Sequence, residues 1–399
     1  MKVLCIIPSY YPATQFGGPI QSVHLINSIL KKNKINVDVL SLNAGLEQSS
    51  IITNKWYEYD GVRVKYFRYS SLWRFAFSVS YFFSLLKYIN NYDLIHINGI
   101  WNFPCVIGMI LSHQFKKPYL ISPRGALYKE TVRARKKVVK NLMFNIFLKN
   151  YIKNAKAVHF TSELDFERFI NFTRIDITPI IIPNGIDLKK IEKVFNKISN
   201  TYLSKNYLFF LGRLAPIKGI DILIKAFARI LKQYPNQKLV IAGPDEENYI
   251  LKIKKLIIDL KLEEKVILPG ELNFEKKIEY LSNATMLILP SYSENFANVV
   301  IEAMACGCPV VISDKVGIYK EIADNNAGII VKTDVESVEE GILKLLNDDK
   351  LRETISHNGK AMVEKFYDID KVADEMIEAY ERMQQKLYVA QESIPANRK

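Results

Sequence analysis

Short apolar runs alternate along this chain with amphipathic stretches of helical period. Lys2–Ile7 opens the series, and Val37–Ser41, Val62–Tyr66, Leu94–Asn98, Tyr119–Ser122 and Val158–Thr161 continue it. Most of these runs are continuously apolar, the pattern of parallel strands covered on both faces. The stretches between them read mostly as helices, the first from about Ile20 to Leu30. The segment IIPNGIDLKK (Ile181–Lys190) closes this series on an Asn-Gly turn, and the polar stretch up to Ser204 reads as a linker. A second alternation then starts: strand Tyr207–Leu211, helix Lys218–Gln233, strand Lys238–Ala242, and further pairs to Val331. The pattern predicts an α/β chain of two doubly wound, Rossmann-like domains facing across a cleft. The expected bounds are 1–190, a linker over 191–204, a second domain over 205–367 and a last helical segment over 368–390.

One unit of the second half carries most of the candidate chemistry. Met286–Pro290 is a short strand, SYSENFANVVIEAMACGCPV (Ser291–Val310) a polar loop and a helix, and Pro309–Ser313 the next strand. A helix starting near Phe296 directs the N–H groups of roughly Asn295 to Asn298 beyond the strand ends, a site suited to phosphate. Glu302 follows roughly 8–9 Å along the axis, and Glu294 lies in the loop. A nucleoside-diphosphate sugar, with a hydroxylated ring at each end and phosphates between, matches that layout. Spacing alone leaves open a solvated loop glutamate and a surface salt bridge. Ahead of this unit, GRLAPIKGID (Gly212–Asp221) puts Arg213 just past a strand and Lys218 at a helix start. An arginine fork and a lysine point charge there suit a diphosphate.

With Asn295-Phe296 after the first glutamate and EAMACGCPVV around the second, the E-x7-E pattern resembles the signature of the family 4 retaining glycosyltransferases of the GT-B fold. The resemblance implies transfer of a hexose-type sugar from a nucleotide donor with retention at the anomeric carbon. It implies that Glu294 and the backbone of Asn295, Phe296 and Ala297 hold the donor sugar, Glu302 the ribose, and Arg213 with Lys218 the leaving diphosphate. A glycine-rich loop of the first domain approaches the donor phosphates, which carries over to Gly18 in the pair Gly17-Gly18. On the acceptor side, Asn98, Trp101 and Arg124 lie just past strand ends. Many relatives carry a histidine at the position of Arg124, which puts the donor sugar in question. The family's last helix, here about Lys371 to Lys386, returns to the first domain. A GT-B sugar-nucleotide epimerase and a non-catalytic nucleotide-sugar or nucleic-acid binder are the alternatives.

Charge adds a partner. The net charge is +13, with 26 basic against 11 acidic residues in 1–190 and 29 against 31 afterwards. A cationic first half favours an anionic partner. The aromatic stretch Ser71–Leu86 and the block Arg133–Lys140, followed by NLMFNIFL, compose a basic, aromatic surface for an anionic membrane. A buried helix and a solvated charge run give the same composition. No nucleic-acid motif accompanies the cations, so the expected partners are the donor, a lipid-linked saccharide acceptor and a membrane surface. MKVLCIIPSY reads as a strand rather than a leader, and no run is long enough to span a bilayer. The expected location is the cytoplasm, on the inner membrane face.

No cofactor or metal is expected. Asp368-Ile369-Asp370 reads as a cap for the last helix, with Asp370 at the N-cap. Cys5, Cys105, Cys306 and Cys308 read as buried thiols, and His96 as a packed histidine rather than a base.

Overall fold

The computed structural model describes residues 1–13, 17–46, 51–70, 75–128, 143–198 and 207–392. The chain divides into two units, one of Met1–Gly185 with the segment that begins at Ile369, the other Ile186–Asp368.

Among the described residues the first unit is built on eight strands: β1 (Lys2–Ile6), β2 (Asn36–Leu42), β3 (Trp56–Tyr59), β4 (Val62–Phe67), β5 (Leu94–Asn98), β6 (Tyr119–Ser122), β7 (Ala157–Phe160) and β8 (Pro179–Ile181). Their order is β3-β4-β2-β1-β5-β6-β7-β8, parallel throughout except for β3 against β4. That hairpin turns at Asp60-Gly61, both at positive φ, which is the geometry of a tight two-residue turn. The direction of winding reverses between β1 and β5. This reversal opens the crevice beyond the strand ends where α/β sheets receive ligands.

Among the described residues the second unit has six parallel strands: β9 (Tyr207–Leu211), β10 (Lys238–Ala242), β11 (Val266–Gly270), β12 (Met286–Leu289), β13 (Val310–Ser313) and β14 (Ile329–Val331). Their order, β11-β10-β9-β12-β13-β14, reverses between β9 and β12. All five residues of β9 are buried, since helices cover both faces.

The last helix, Ile369–Glu392, belongs to the first unit. Ile369, Val372, Ala373, Met376, Tyr380 and Met383 repeat at helical spacing and join the core that holds Val3, Val23 and Val37. This stripe starts the helix two residues before Lys371. Asp370 therefore sits in the first turn rather than at the N-cap. The expected linker is corrected over 191–198, while 199–204 lie outside the described residues. Leu188–Ile198 is a helix whose Ile191 is buried in the core of the second unit, with Leu188 and Val194 packed against it. Leu188, Ile191 and Val194, at three-residue spacing, give that stretch a face to bury.

All four cysteines are buried and unbridged, and burial pushes the thiols up, Cys5 to about 11 and Cys306 to about 12. Among the described residues no helix is long and apolar enough to cross a membrane. Within Ser71–Leu86, residues 71–74 lie outside the described residues. Tyr81 and Leu85 of the helix Val79–Tyr88 are buried, whereas Val79 and Phe83 are exposed. The block Arg133–Lys140 and the tail after Glu392 also lie outside the described residues.

Candidate functional site

In the second unit, the loops that leave β9 and β12 are laced together at the reversal of strand order. Gly212 follows β9, and its carbonyl oxygen lies 1.9 Å from where a Cβ on Gly243 would sit, so the loop after β10 closes only over a glycine. Leu214 bridges to Asp245 in parallel, Leu214 N–H bonding Pro244 O at 2.8 Å and Glu246 N–H bonding Leu214 O at 3.1 Å. Pro216–Lys218 is one 3-10 turn that ends at Gly219 with φ 67°, and the helix starts only at Ile220. Lys218 therefore precedes the helix rather than starting it. A Cβ on Gly219 would lie 2.1 Å from the oxygen of Pro290, at the end of β12. Tyr292 N–H then bonds Ile217 O at 2.9 Å, and Glu294 N–H bonds Lys315 O at 3.1 Å.

This lacing places Lys218 against Glu294. The lysine Nζ donates to Oε2 of the glutamate, and the two side chains are 12% and 19% exposed. Arg213 pairs instead with Glu246, Nη1 to Oε2 at 2.8 Å, with both side chains nearly half exposed. The sequence groups Arg213 with Lys218, but each has its own carboxylate.

The helix after the loop starts later than expected, at Asn298 and not near Phe296. Phe296 turns its ring into the core, edge-on to Tyr367 at 5.7 Å, and Ala297 adopts φ 73°, ψ 72°. Neither residue can then continue a helix backwards, so only their backbone is offered to a ligand. The N-cap residue Ala297 makes no side-chain cap bond, and the first turn holds no acid. Glu302, four residues in, is about 6 Å along the axis. It accepts a 2.6 Å bond from Lys277 Nζ, with both side chains about 15% exposed. Lys277 lies on the helix Phe274–Asn283, its ammonium 5.2 Å from the ring centre of Phe274.

The first unit gathers its own candidates at the reversal between β1 and β5. Gly18 is the first residue of the helix Gly18–Lys32, two residues earlier than expected because Pro19 is tolerated in the first turn. Gly17 caps it at φ 94°, with open space where its Cβ would be. Among the described residues the helix has no side-chain cap, and its first turn holds no acid. Across the reversal, Arg124 Nε and Nη2 donate to Asn98 Oδ1 at 3.2 and 3.0 Å, and Nη1 donates to Asn184 Oδ1 at 3.0 Å. Among the described residues no carboxylate forms an ion pair with Arg124, and burial draws the guanidinium below its ordinary value. Trp101 Nε1 donates to Ala126 O at 2.8 Å, holding the turn that carries Arg124. Asn98, Trp101 and Arg124 thus form one cluster.

Three participants escaped the sequence reading. Asn184 was read only as half of a turn, while Glu246 and Lys277 stand on separate elements with no motif of their own. Lys277 is 25 residues from Glu302 in the chain, so only the folded sheet pairs them.

The chain is similar to known proteins. A family model described as Glycosyltransferase Family 4 matches residues 16–190, and one described as Glycosyl transferases group 1 matches residues 192–362. The capsular polysaccharide biosynthesis glycosyltransferase CapM of Staphylococcus aureus is 31% identical over 287 residues, 69% of this chain and 73% of that protein. The N-acetylgalactosamine-N,N'-diacetylbacillosaminyl-diphospho-undecaprenol 4-alpha-N-acetylgalactosaminyltransferase of Campylobacter jejuni is 36% identical over 197 residues, 48% of this chain and 50% of that protein. Among solved structures, Alr3699/HepE of Anabaena in complex with UDP superposes with a TM-score of 0.71 at 21% identity, covering 96% of this chain and 100% of that one.

Proposed function

Because the chain belongs to the family 4 glycosyltransferases of the GT-B fold, we propose that it moves a hexose-type sugar from a nucleoside diphosphate to a lipid-linked saccharide, with retention and without a metal, in the synthesis of a surface polysaccharide. The observation that carries this reading is the meeting of Lys218 and Glu294 at the reversal of the second sheet, ahead of the helix Asn298–Ala305.

In this proposal Lys218 and Arg213 take the diphosphate, and the helix end at Asn298 adds partial positive charge. Glu294 and the backbone of Asn295–Ala297 hold the donor sugar, and Glu302, steadied by Lys277, holds the ribose. The leaving phosphate oxygen and the incoming hydroxyl share one face of an oxocarbenium-like sugar, while Asn98, Trp101 and Arg124 face the acceptor. The charge leaving with the diphosphate is balanced by side chains and dipoles, which is why no Lewis acid is invoked.

Two relatives support the acceptor class. CapM is named for capsular polysaccharide, and the Campylobacter enzyme for a diphospho-undecaprenol substrate. HepE was solved with UDP, which supports a nucleotide donor. A cytoplasmic enzyme docked on an anionic membrane fits the basic first half and the exposed Phe77, Val79, Phe83, Ile146 and Phe147.

Ligand-detected NMR in EDTA against UDP-, GDP-, ADP- and TDP-sugars is expected to find one donor bound and slowly hydrolysed. Binding that appears only with a divalent cation would defeat the metal-independent reading, and donor conversion without acceptor would favour an epimerase. In sedimentation with liposomes, the protein is expected to follow vesicles containing phosphatidylglycerol and to stay behind with purely zwitterionic ones. Equal partition would remove the membrane from the account.

A further inference from the structure

Among the described residues the protein engages one oxygen of the Glu302 carboxylate and leaves the other open. Lys277 Nζ holds Oε1 at 2.6 Å, whereas Oε2 accepts no hydrogen bond there and is not sealed from water. Lys277 has support of its own. Its ammonium lies 5.2 Å from the ring centre of Phe274, one turn earlier on the same helix. Lys190, on the helix Leu188–Ile198, reaches that ring at 4.5 Å. The Lys277 and Glu302 side chains are only 15% and 14% exposed, so neither charge is free to turn into bulk water while the pair holds. A carboxylate at that depth is costly without its ammonium. Lys277 thus sets where Oε2 points.

We propose that Lys277 is a positioning residue that makes Glu302 selective for a ribose hydroxyl of the donor: by fixing Oε1 it aims Oε2 to accept from that hydroxyl. The proposal rests on the assignment of Glu302 to the ribose above and deepens it, by locating the selectivity in a residue outside the E-x7-E string. A deoxyribose that lacks the hydroxyl covers the same oxygen without supplying a proton. A site that loses a hydrogen bond to a charged acceptor rejects such an analogue more strongly than one that loses an apolar contact. Without Lys277 the carboxylate turns outward to water and the aim is lost, so ribose and deoxyribose forms become alike. Two other roles for the same lysine leave different traces. An ammonium that only shields the diphosphate from the Glu302 charge would favour ribose and deoxyribose nucleotides equally. An ion pair that only joins two helices would change the melting temperature and leave the preference untouched.

The test is calorimetric titration of UDP, GDP and ADP into wild type, Lys277→Met and Lys277→Gln, with a thermal melt of each protein. For the base that binds best, the 2′-deoxy and 3′-deoxy diphosphates are titrated as well. Wild type is expected to bind the ribose form about tenfold or more tightly than one of the two deoxy forms, the range for a hydrogen bond to a charged group. In the Lys277 variants that ratio is expected to fall below about threefold, the weak end of hydrogen-bond contributions. A loss of affinity shared equally by ribose and deoxyribose forms keeps the ratio in place and overturns the proposal, while the ribose assignment stands. Unfolding of both variants assigns Lys277 to the fold and overturns it too. If the ribose form and both deoxy forms bind wild type alike, Glu302 takes no ribose hydroxyl, and the ribose assignment falls with the proposal while the diphosphate assignment stands. If none of the three ribonucleotides binds wild type, the proposal fails, and titration with TDP decides whether the donor reading fails with it.

Discussion

Lys218→Ala is expected to reduce turnover by roughly two to three orders of magnitude, about 3–4 kcal/mol of lost transition-state stabilisation, the range found when one preorganised donor is removed from a developing anion. In the proposed reaction charge builds on the diphosphate as its bond to the sugar stretches, so an ammonium at that point would act more on the transition state than on bound donor. The fall should therefore appear in kcat and in kcat/KM alike, with a smaller change in KM. The fold is expected to survive. Lys218 contributes its backbone to a 3-10 turn, through a bond from its N–H to Ala215 O at 3.0 Å, and alanine keeps that bond. The tight contact in the turn belongs to its neighbour, since Gly219 has no room for a Cβ beneath Pro290. Initial rates at saturating donor, set beside a thermal melt of the same sample, separate the two effects. Turnover close to wild type would remove Lys218 from the mechanism, whereas a collapsed melt would assign it to the fold.

How far the sequence could be read depended on whether the decisive contacts were local. β5, β6, β9 and β10 match the expected spans because continuous apolar runs between turn signals leave little choice. β3 was missed because WYEY has no apolar continuity and only its Asp60-Gly61 turn announces it. The helix start at Asn298 was missed because a long-range contact decides it: Phe296 goes to Tyr367 and forces Ala297 out of helical geometry. The same distinction holds at the candidate site. Arg213, Lys218, Glu294 and Glu302 stand in recognisable strings. Their pairing with Glu246, with each other and with Lys277 arises from strand order, which brings Lys218 to Glu294 across 76 residues. His96 was correctly read as packed, but its partners lie on three other elements.

Those partners make the first unit sensitive to acid. His159 Nε2 lies 2.8 Å from Ile182 O and must donate to that carbonyl. In the neutral ring Nδ1 is then an acceptor, so Ser122 Oγ–H donates to it at 2.7 Å. Ser122 Oγ in turn accepts from His96 Nε2–H at 2.8 Å, and His96 Nδ1 accepts from Tyr380 O–H at 2.7 Å. One direction of donation runs from the last helix through β5, β6 and β7, and it holds only while both rings are neutral. Protonation of either ring makes the hydroxyl beside its Nδ1 turn from donor to acceptor and places a charge inside the core. Burial first, and then the charge of Arg124, depresses His159 to about 3, and burial with its neighbour's charge holds His96 well below the ordinary value. Both folded values lie below the unfolded value of about 6.5. The stabilisation is thus complete above that pH and is lost as pH falls towards 3, because the unfolded chain binds the protons first. Each ring should cost on the order of 1 kcal/mol per pH unit through that window. Urea unfolding at pH 7.5, 6 and 5 is expected to show His159→Asn less stable than wild type at pH 7.5 and close to it at pH 5, since the variant has already lost what acid removes. Two parallel profiles would mean that the ring is not held neutral by the fold, and that the donor direction through Ser122 and Tyr380 is wrong.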